Sequence, residues 1–562
     1  MFTYLLPICL ALCQTVLSKT LIYDWDVTWV WASPDGFGRP VAGINNRFPC
    51  PPIEATVGDR VIVNLNNKLG NETTSLHFHG IYQTGTSAMD GPSGVTQCPI
   101  PPGASFTYDF VVNQSGTYWY HSHNKGQYID GLRGPFIIRD AAAPFKFDEE
   151  LTITLSDWYQ GQAPDLINYF MSAANEAAGG SEPIPNSALI GDTQNTKFNV
   201  KPKTTYLVHV LNIGSFVGAY LKIDGHEMTI VEADGVYTES QAVDELYLTV
   251  AQRYSVLVTT KDDTSQNSAI LSTLDTSMFD DFPPWANPDV YGYLIYDSSK
   301  SLPPVSPLRD YNVFDDFDLI PQDRQTAFTK VDEQIMITMN FEDDDGINRA
   351  IVNNVTYIPQ NVPTLYTAMS APKDVVMNPL IYGVNSNAFV LKFNQTIEIV
   401  LINLDSGGHP WHLHGHKFQV IARSPANTTY EASAIHPPQT PMRRDTILVY
   451  TGGYIVLRFQ ADNPGIQLFH CHIEWHVEAG LIATLVEAPD VLQDTQSIPH
   501  DHYQVCKSQN IPTKGNAAGN TQNWLDLTGA NTNISTNDYG ALVNPPKRKR
   551  RSRVMRSLSN QG

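Results

Sequence analysis

One segment constrains this chain more than any other: Gly465-Ile-Gln-Leu-Phe-His470-Cys471-His472-Ile-Glu474-Trp-His476-Val-Glu-Ala-Gly-Leu481. Its apolar start reads as a strand, and successive strand residues point to opposite faces. Cys471 therefore faces one way while His470 and His472 face the other. One short segment can thus hold two metal centres joined through the backbone of a single residue. A thiolate with histidines and an apolar axial neighbour suits an electron-transfer copper. A buried cysteine among unrelated histidines is the plainer reading, but matching ligands elsewhere in the chain speak against it.

A repeat sets the architecture around that segment. Arg60-Val-Ile-Val-Asn-Leu-Asn66, Tyr206-Leu-Val-His-Val-Leu-Asn212 and Ile397-Glu-Ile-Val-Leu-Ile-Asn403 alternate like half-buried strands, and each ends in Asn before a turn. Three copies at domain-sized separations predict three related β-domains, and 562 residues are too many for one core. The 37 glycines, 38 prolines and scarcity of long helical patterns fit short strands joined by turns. Ala-Pro-rich residues 143–148 and the Pro-rich, then acidic residues 300–330 mark the boundaries. The expected domains are residues 19–145, 146–305 and 306–506.

The motif downstream of each copy differs. After the first comes His77-Phe-His79-Gly80, and after the third His409-Pro-Trp-His412-Leu-His414-Gly-His416. After the second comes only Gly225-His226. The segment Gly116-Thr-Tyr-Trp-Tyr-His121-Ser122-His123 aligns without a gap on Gly465–His472, with Ser122 where Cys471 stands. Four His-x-His pairs thus come from domains one and three alone. Their imidazoles converge only if those domains face one another, with domain two as a spacer, and so many suit more than one metal ion.

The net charge of -21 repels nucleic acid and anionic membranes and gathers cations. Residues 1–18 resemble a secretory signal without its usual positive start. Sequons at Asn71, Asn113, Asn354, Asn394, Asn427 and Asn533 are compatible with a secreted glycoprotein. No other apolar run is long enough to span a bilayer, so a secreted or cell-surface protein is expected. Residues 507–562 read as a polar tail with a basic end from Lys547 to Arg556.

The four histidine motifs, in this order and spacing, resemble those of the multicopper oxidases: laccases, ascorbate oxidases and ferroxidases. The resemblance covers roughly residues 20 to 505 and implies an all-β fold of three cupredoxin-like Greek-key β-barrels holding four copper ions. It places a type 1 copper on His409, Cys471 and His476, with Leu481 at the axial position. Leucine cannot coordinate, and loss of an axial thioether should raise the reduction potential. It places a type 2 copper on His77 and His412, and a type 3 pair on His79, His121, His123, His414, His470 and His472. Asp90 and Glu474 match the family's proton-supplying carboxylates. His416 is expected to be a packing residue. The resemblance, with the cysteine count, also implies a Cys98–Cys506 disulfide and leaves Cys50 as a buried thiol.

Within the family the chain is most similar to fungal iron-transport ferroxidases, in Gly179-Gly-Ser-Glu182, Leu246–Tyr254, Asn353–Tyr357, His121–Tyr128 and Pro441–Asp445. That likeness implies an Fe(II) site of hard oxygen ligands, at Glu182, Asp280, Tyr357 and Asp405. Asp405 stands four residues before His409, and Glu182 lies in a domain-two loop placed against His476. The expected substrates are Fe(II) and O2, with a laccase-like oxidase of phenols or pigment precursors as the alternative. A copper-binding protein without turnover would lack part of the ligand set, which here is complete. Ferroxidases of this type usually carry a C-terminal membrane helix and work with an iron permease. This sequence shows no such helix, so the permease stays an open partner; a monomer is expected.

Overall fold

The computed structural model describes residues 18–344, 346–533 and 539–543. The leader expected at residues 1–18, except Ser18, and the basic run 547–556 lie outside the described residues. Among the described residues no helix is long and apolar enough to cross a membrane.

The three repeat copies occupy equivalent places. Arg60–Asn67 runs parallel to Thr20–Ala32 and antiparallel to Ser105–Val111. Thr205–Asn212 does the same between Glu149–Trp158 and Arg253–Thr259. Thr396–Asn403 does so between Glu333–Asp344 and Tyr454–Gln460. A parallel pair cannot be closed by a hairpin. In each unit the chain therefore crosses to a second sheet, through Ile53–Thr56, Thr196–Asn199 or Ala388–Leu391, before returning.

The asparagine that ends each copy ties two loops together. Asn212 Nδ2 donates to the carbonyls of Val217 and Leu248, and Asn403 Nδ2 to those of Gly407 and Tyr450. In the first unit Asn67, not Asn66, holds this position, donating to Glu72 and Ile100. The first copy therefore runs one residue further than its alternation alone indicates. Asn66 is the outward neighbour and bonds Asp26 instead.

The segment Gly465–Cys471 lies between Ile482–Glu487 and His409–Leu413. Its alternation sorts it between two cores. Ile466 and Leu468 pack with the first unit's Phe78, Tyr108 and Phe136, whereas Phe469 and Cys471 pack into the core shared by the second and third units. Each such buried apolar side chain contributes about 1.5–3 kcal/mol, so the strand is fixed from both sides. The helix Glu474–Ala479 follows at once and ends at Gly480, whose left-handed φ of 101° turns the chain back.

Domain two is more than a spacer between the others. Ser215 O accepts from Glu474 N, and Tyr159 OH accepts from Trp475 Nε1 at 3.2 Å. Residues 507–533 are not the free tail that their polarity suggests. Ala517 N donates to Ile381 O, Asn361 Nδ2 to Gly529 O and Asn531 Nδ2 to Pro359 O, so the segment lies bonded along the third unit. Its many asparagines serve as loop clamps. Cys98 and Cys506 form a disulfide, and Cys50 is a buried thiol, as expected.

Candidate metal centres

The strand pairing that aligns His412 with His470 in the third unit aligns His77 with His121 in the first. These two strand pairs face each other across the interface, and eight imidazoles meet there. Three groups have ligand atoms mutually close enough to share a metal: His77, His79 and His412; His79, His121 and His472; His123, His414 and His470. The first joins both expected type 2 ligands, and the other two divide the expected type 3 ligands into triplets.

On the other face of the same strand, Cys471 Sγ lies 3.4 Å from His476 Nδ1 and 3.7 Å from His409 Nδ1. The helical turn after Ile473 brings His476 round to its own strand's cysteine. Burial would raise the thiol's pKa, but the two imidazoles outweigh it and bring Cys471 to about 7. A thiolate is therefore accessible near neutrality. Leu481 is fully buried, and its carbonyl accepts from Cys471 N. In the first unit Ser122 Oγ donates to Gln127 Oε1 at 2.9 Å. A small hydrogen-bonded hydroxyl thus replaces the thiolate there.

The imidazoles are held in defined tautomers. The Nδ1 of His77, His121, His412 and His470 lies 2.8–2.9 Å from a backbone carbonyl, that of Asp90, Ser122, Asp445 and Cys471 respectively. His414 Nδ1 lies 2.9 Å from Asp90 Oδ2. Donation from Nδ1 leaves Nε2 as the bare acceptor. The Nε2 atoms of His77, His121 and His412 are buried without a protein partner. Bare nitrogens also confront one another, His414 Nε2 with His470 Nε2 at 3.1 Å, and His472 Nε2 lies 3.2 Å from His79 Nδ1. Buried polar atoms normally have partners, and facing lone pairs repel unless a cation lies between them. Imidazole and thiolate donors arranged in this way fit copper.

Asp90 is fully buried between His77 and His414 and stays ionised. Burial opposes that, but the two imidazoles hold its pKa far below the usual carboxylate range. Glu474 behaves oppositely. Burial first, then the nearby Glu478 carboxylate, push its pKa well above the ordinary value, so it retains a proton. It opens with His123 and Glu478 onto a cavity of about 640 Å³.

The thiolate centre borders a separate cleft of about 480 Å³ lined by Glu182, Asp280, Asp405, His409 and His476. Glu182 Oε1 is 2.7 Å from His476 Nε2, and Asp405 Oδ2 is 2.9 Å from His409 Nε2. Each of these two side chains keeps about a fifth of its surface exposed. Phe341 packs edge-on against His476, with ring centroids 4.9 Å apart. Tyr357 does not join this group. It lines the Glu474 cavity instead, its ring buried and its amide bonded to Gly480 O, beyond the His476 helix. Burial pushes its phenol pKa well above the usual value. Sequence reasoning missed Arg253, whose guanidinium binds Asp445 beside His79. The available signals were Arg253 in Gln252-Arg-Tyr254 and Asp445 in Arg443-Arg-Asp, in a chain poor in charge.

Fold and ligand set together define a β-barrel metalloprotein with a thiolate–imidazole ligand group on one face of a strand and a larger imidazole cluster on the other. Models of the multicopper oxidase family match residues 26–143, 149–299 and 357–491. The iron transport multicopper oxidase fetC of Epichloe festucae is 51% identical over 524 residues, 92% of this chain and 84% of that protein. Its counterpart FET3 of Saccharomyces cerevisiae is 43% identical, over 92% of this chain and 83% of its own length. The crystal structure of Fet3p, a multicopper oxidase that functions in iron import, superposes with a TM-score of 0.88 at 42% identity, covering 92% of this chain and 99% of that one. A laccase from Botrytis aclada superposes at 0.77 with 27% identity, over 88% and 92%. This chain belongs to the multicopper oxidase family and has its three-domain cupredoxin-like fold, and copper is its cofactor.

Proposed function

We propose that this protein is a ferroxidase, taking electrons singly from Fe(II) and delivering them to O2 to form water. Bound copper would supply the electron storage and the transfer to O2. Four ions would be held: one by His409, Cys471 and His476, one by His77 and His412, and a pair by the six remaining imidazoles. Three domains, 19–145, 146–305 and 306–506, would carry them. The rest of the chemistry belongs to the protein's own groups. The observation that carries the iron reading is the pair of carboxylates on the outer nitrogens of both thiolate-centre histidines, Glu182 on His476 and Asp405 on His409. Hard oxygen ligands favour Fe(III) over Fe(II), which eases removal of an electron, and each carboxylate hydrogen bond leads straight into a ligand ring. Asp280 adds a third carboxylate at the cleft. Cys471 and the backbone to His470 and His472 form the bridge inward. Glu474 would hold protons for O2 reduction; Asp90, expected as a second proton source, is held ionised between His77 and His414 and would orient them instead. The relatives' names connect them to iron transport, so oxidation of iron for transport is part of the same proposal.

The test compares kcat/KM for Fe(II) and for dimethoxyphenol in the Glu182→Ala/Asp405→Ala variant. Loss of an oriented electron entry should cost Fe(II) turnover about 10²-fold, with the phenol nearly unaffected. Equal losses for both donors would favour the phenol-oxidase alternative.

A further inference from the structure

His79 is held the opposite way round from the imidazoles anchored through Nδ1. Its Nε2 lies 3.3 Å from Asp445 Oδ1, and its Nδ1 faces His472 Nε2 at 3.2 Å. We propose that Asp445, clamped by Arg253, is a positioning residue that fixes this inverted tautomer and so shapes the polynuclear centre. The proposal rests on the ligand assignment of the polynuclear centre.

The clamp joins all three units at one point. Asp445 comes from the third, His79 from the first and Arg253 from the second. Arg253 Nη1 and Nη2 each donate to Asp445 at 2.6 Å, a bidentate pair that fixes the carboxylate plane. Arg253 Nε donates to Thr117 O in the first unit, and its own amide donates to Asp234 Oδ1. All of these side chains are fully buried. With both nitrogens of the guanidinium edge engaged, Asp445 cannot rotate away from His79. The Asp445 carbonyl also accepts from His412 Nδ1 at 2.9 Å. One residue therefore orients two imidazoles, one presenting Nδ1 and the other Nε2.

Two backbone features make room for the clamp. Gly80 follows His79 at φ 86°, and a Cβ there would lie 2.7 Å from Arg253 Nη2 and 2.9 Å from Asp445 Oδ2. Ala251 is held at φ 72°, a conformation alanine rarely adopts, and its carbonyl accepts from Arg253 Nη1 at 2.9 Å. Neither glycine nor strained alanine is needed to coordinate anything. Both are needed to seat the guanidinium.

The test uses Asp445→Asn and Arg253→Lys, each nearly conservative in volume, with Asp316→Asn as control. Asp316 belongs to the same ionic network through Arg444 and Arg423 but pairs with no imidazole. The measurements are the near-ultraviolet absorption of the type 3 pair, to which His79 is assigned, copper retention against a competing chelator, and the blue type 1 absorption, which reports a correctly folded third unit. In the two clamp variants the type 3 absorption should fall and copper affinity drop about 10–100-fold, with the blue absorption kept. The control should keep all three. Wild-type type 3 absorption and affinity in the clamp variants would overturn the proposal, as would the same change in Asp316→Asn. Where one clamp variant is not recovered folded, the other decides. A wild-type protein without any type 3 absorption would instead remove the ligand assignment itself.

Discussion

Cys471 and Ser122 stand at equivalent places in two copies of one strand, and the proposed entry point for electrons rests on their difference. Cys471→Ser should abolish the blue absorption and O2 consumption with Fe(II) while leaving thermal unfolding of the copper-free protein nearly unchanged, since the two side chains are of similar size. Persistent blue absorption would sink the thiolate assignment. Glu474 makes a second prediction. Burial and Glu478 raise its pKa, so the folded protein holds this proton where an unfolded chain has lost it. The stabilisation is complete below the ordinary glutamate value and is lost as pH rises through the raised one. Reoxidation of the reduced enzyme by O2 should slow over that same range. In Glu474→Gln it should be slower by about 10²-fold, the low end for a lost general acid, and flat with pH. Stopped-flow traces across the range check both statements.

At the level of elements, the strand Gly465–Cys471 and the helix Glu474–Ala479 join the two ligand clusters, and both are anchored from outside. The disulfide does this at longer range. It closes a separation of 408 residues between the loop at Cys98 and the helix His500–Ser508. A cross-link of this kind contributes about 2–5 kcal/mol. Cys506→Ser should therefore lower amide protection in His500–Ser508 while the blue absorption stays, as hydrogen exchange would show. Period-two alternation and the repeated strand-plus-asparagine make these strands legible in the sequence. The His-x-His spacing makes the ligands legible because one strand face is a local property. Tyr357 is misplaced by sequence reasoning because its position depends on which side of the His476 helix the chain passes, which no local pattern encodes. The order of residues 507–533 escapes it for a related reason. Their polar side chains bond to backbone carbonyls of distant loops, and composition alone cannot distinguish that from solvation.

The whole molecule explains why three units are needed when two carry the ligands. The second supplies Glu182 to one centre and Arg253 to the other, so it couples the cleft to the interface. It also forms one wall of a strongly acidic mouth. Glu182 and Asp280 come from the second unit and Asp405 from the third. The hairpin that contributes Phe341 and Asn348 to the cleft carries exposed Asp343 and Asp344 at its tip. With a net charge of -21 behind it, this mouth should raise the local concentration of a divalent cation. Screening should remove the advantage, because the Debye length shrinks from about 30 Å at 0.01 M to about 8 Å at 0.15 M salt. The expected outcome is a several-fold fall in kcat/KM for Fe(II) over that range and no fall for a neutral phenol. Stopped-flow bleaching of the blue absorption under anaerobic conditions isolates the entry step from O2 reduction. If both donors respond equally to salt, the acidic mouth serves solubility alone, and the preference for iron then rests only on the two carboxylates that touch His476 and His409.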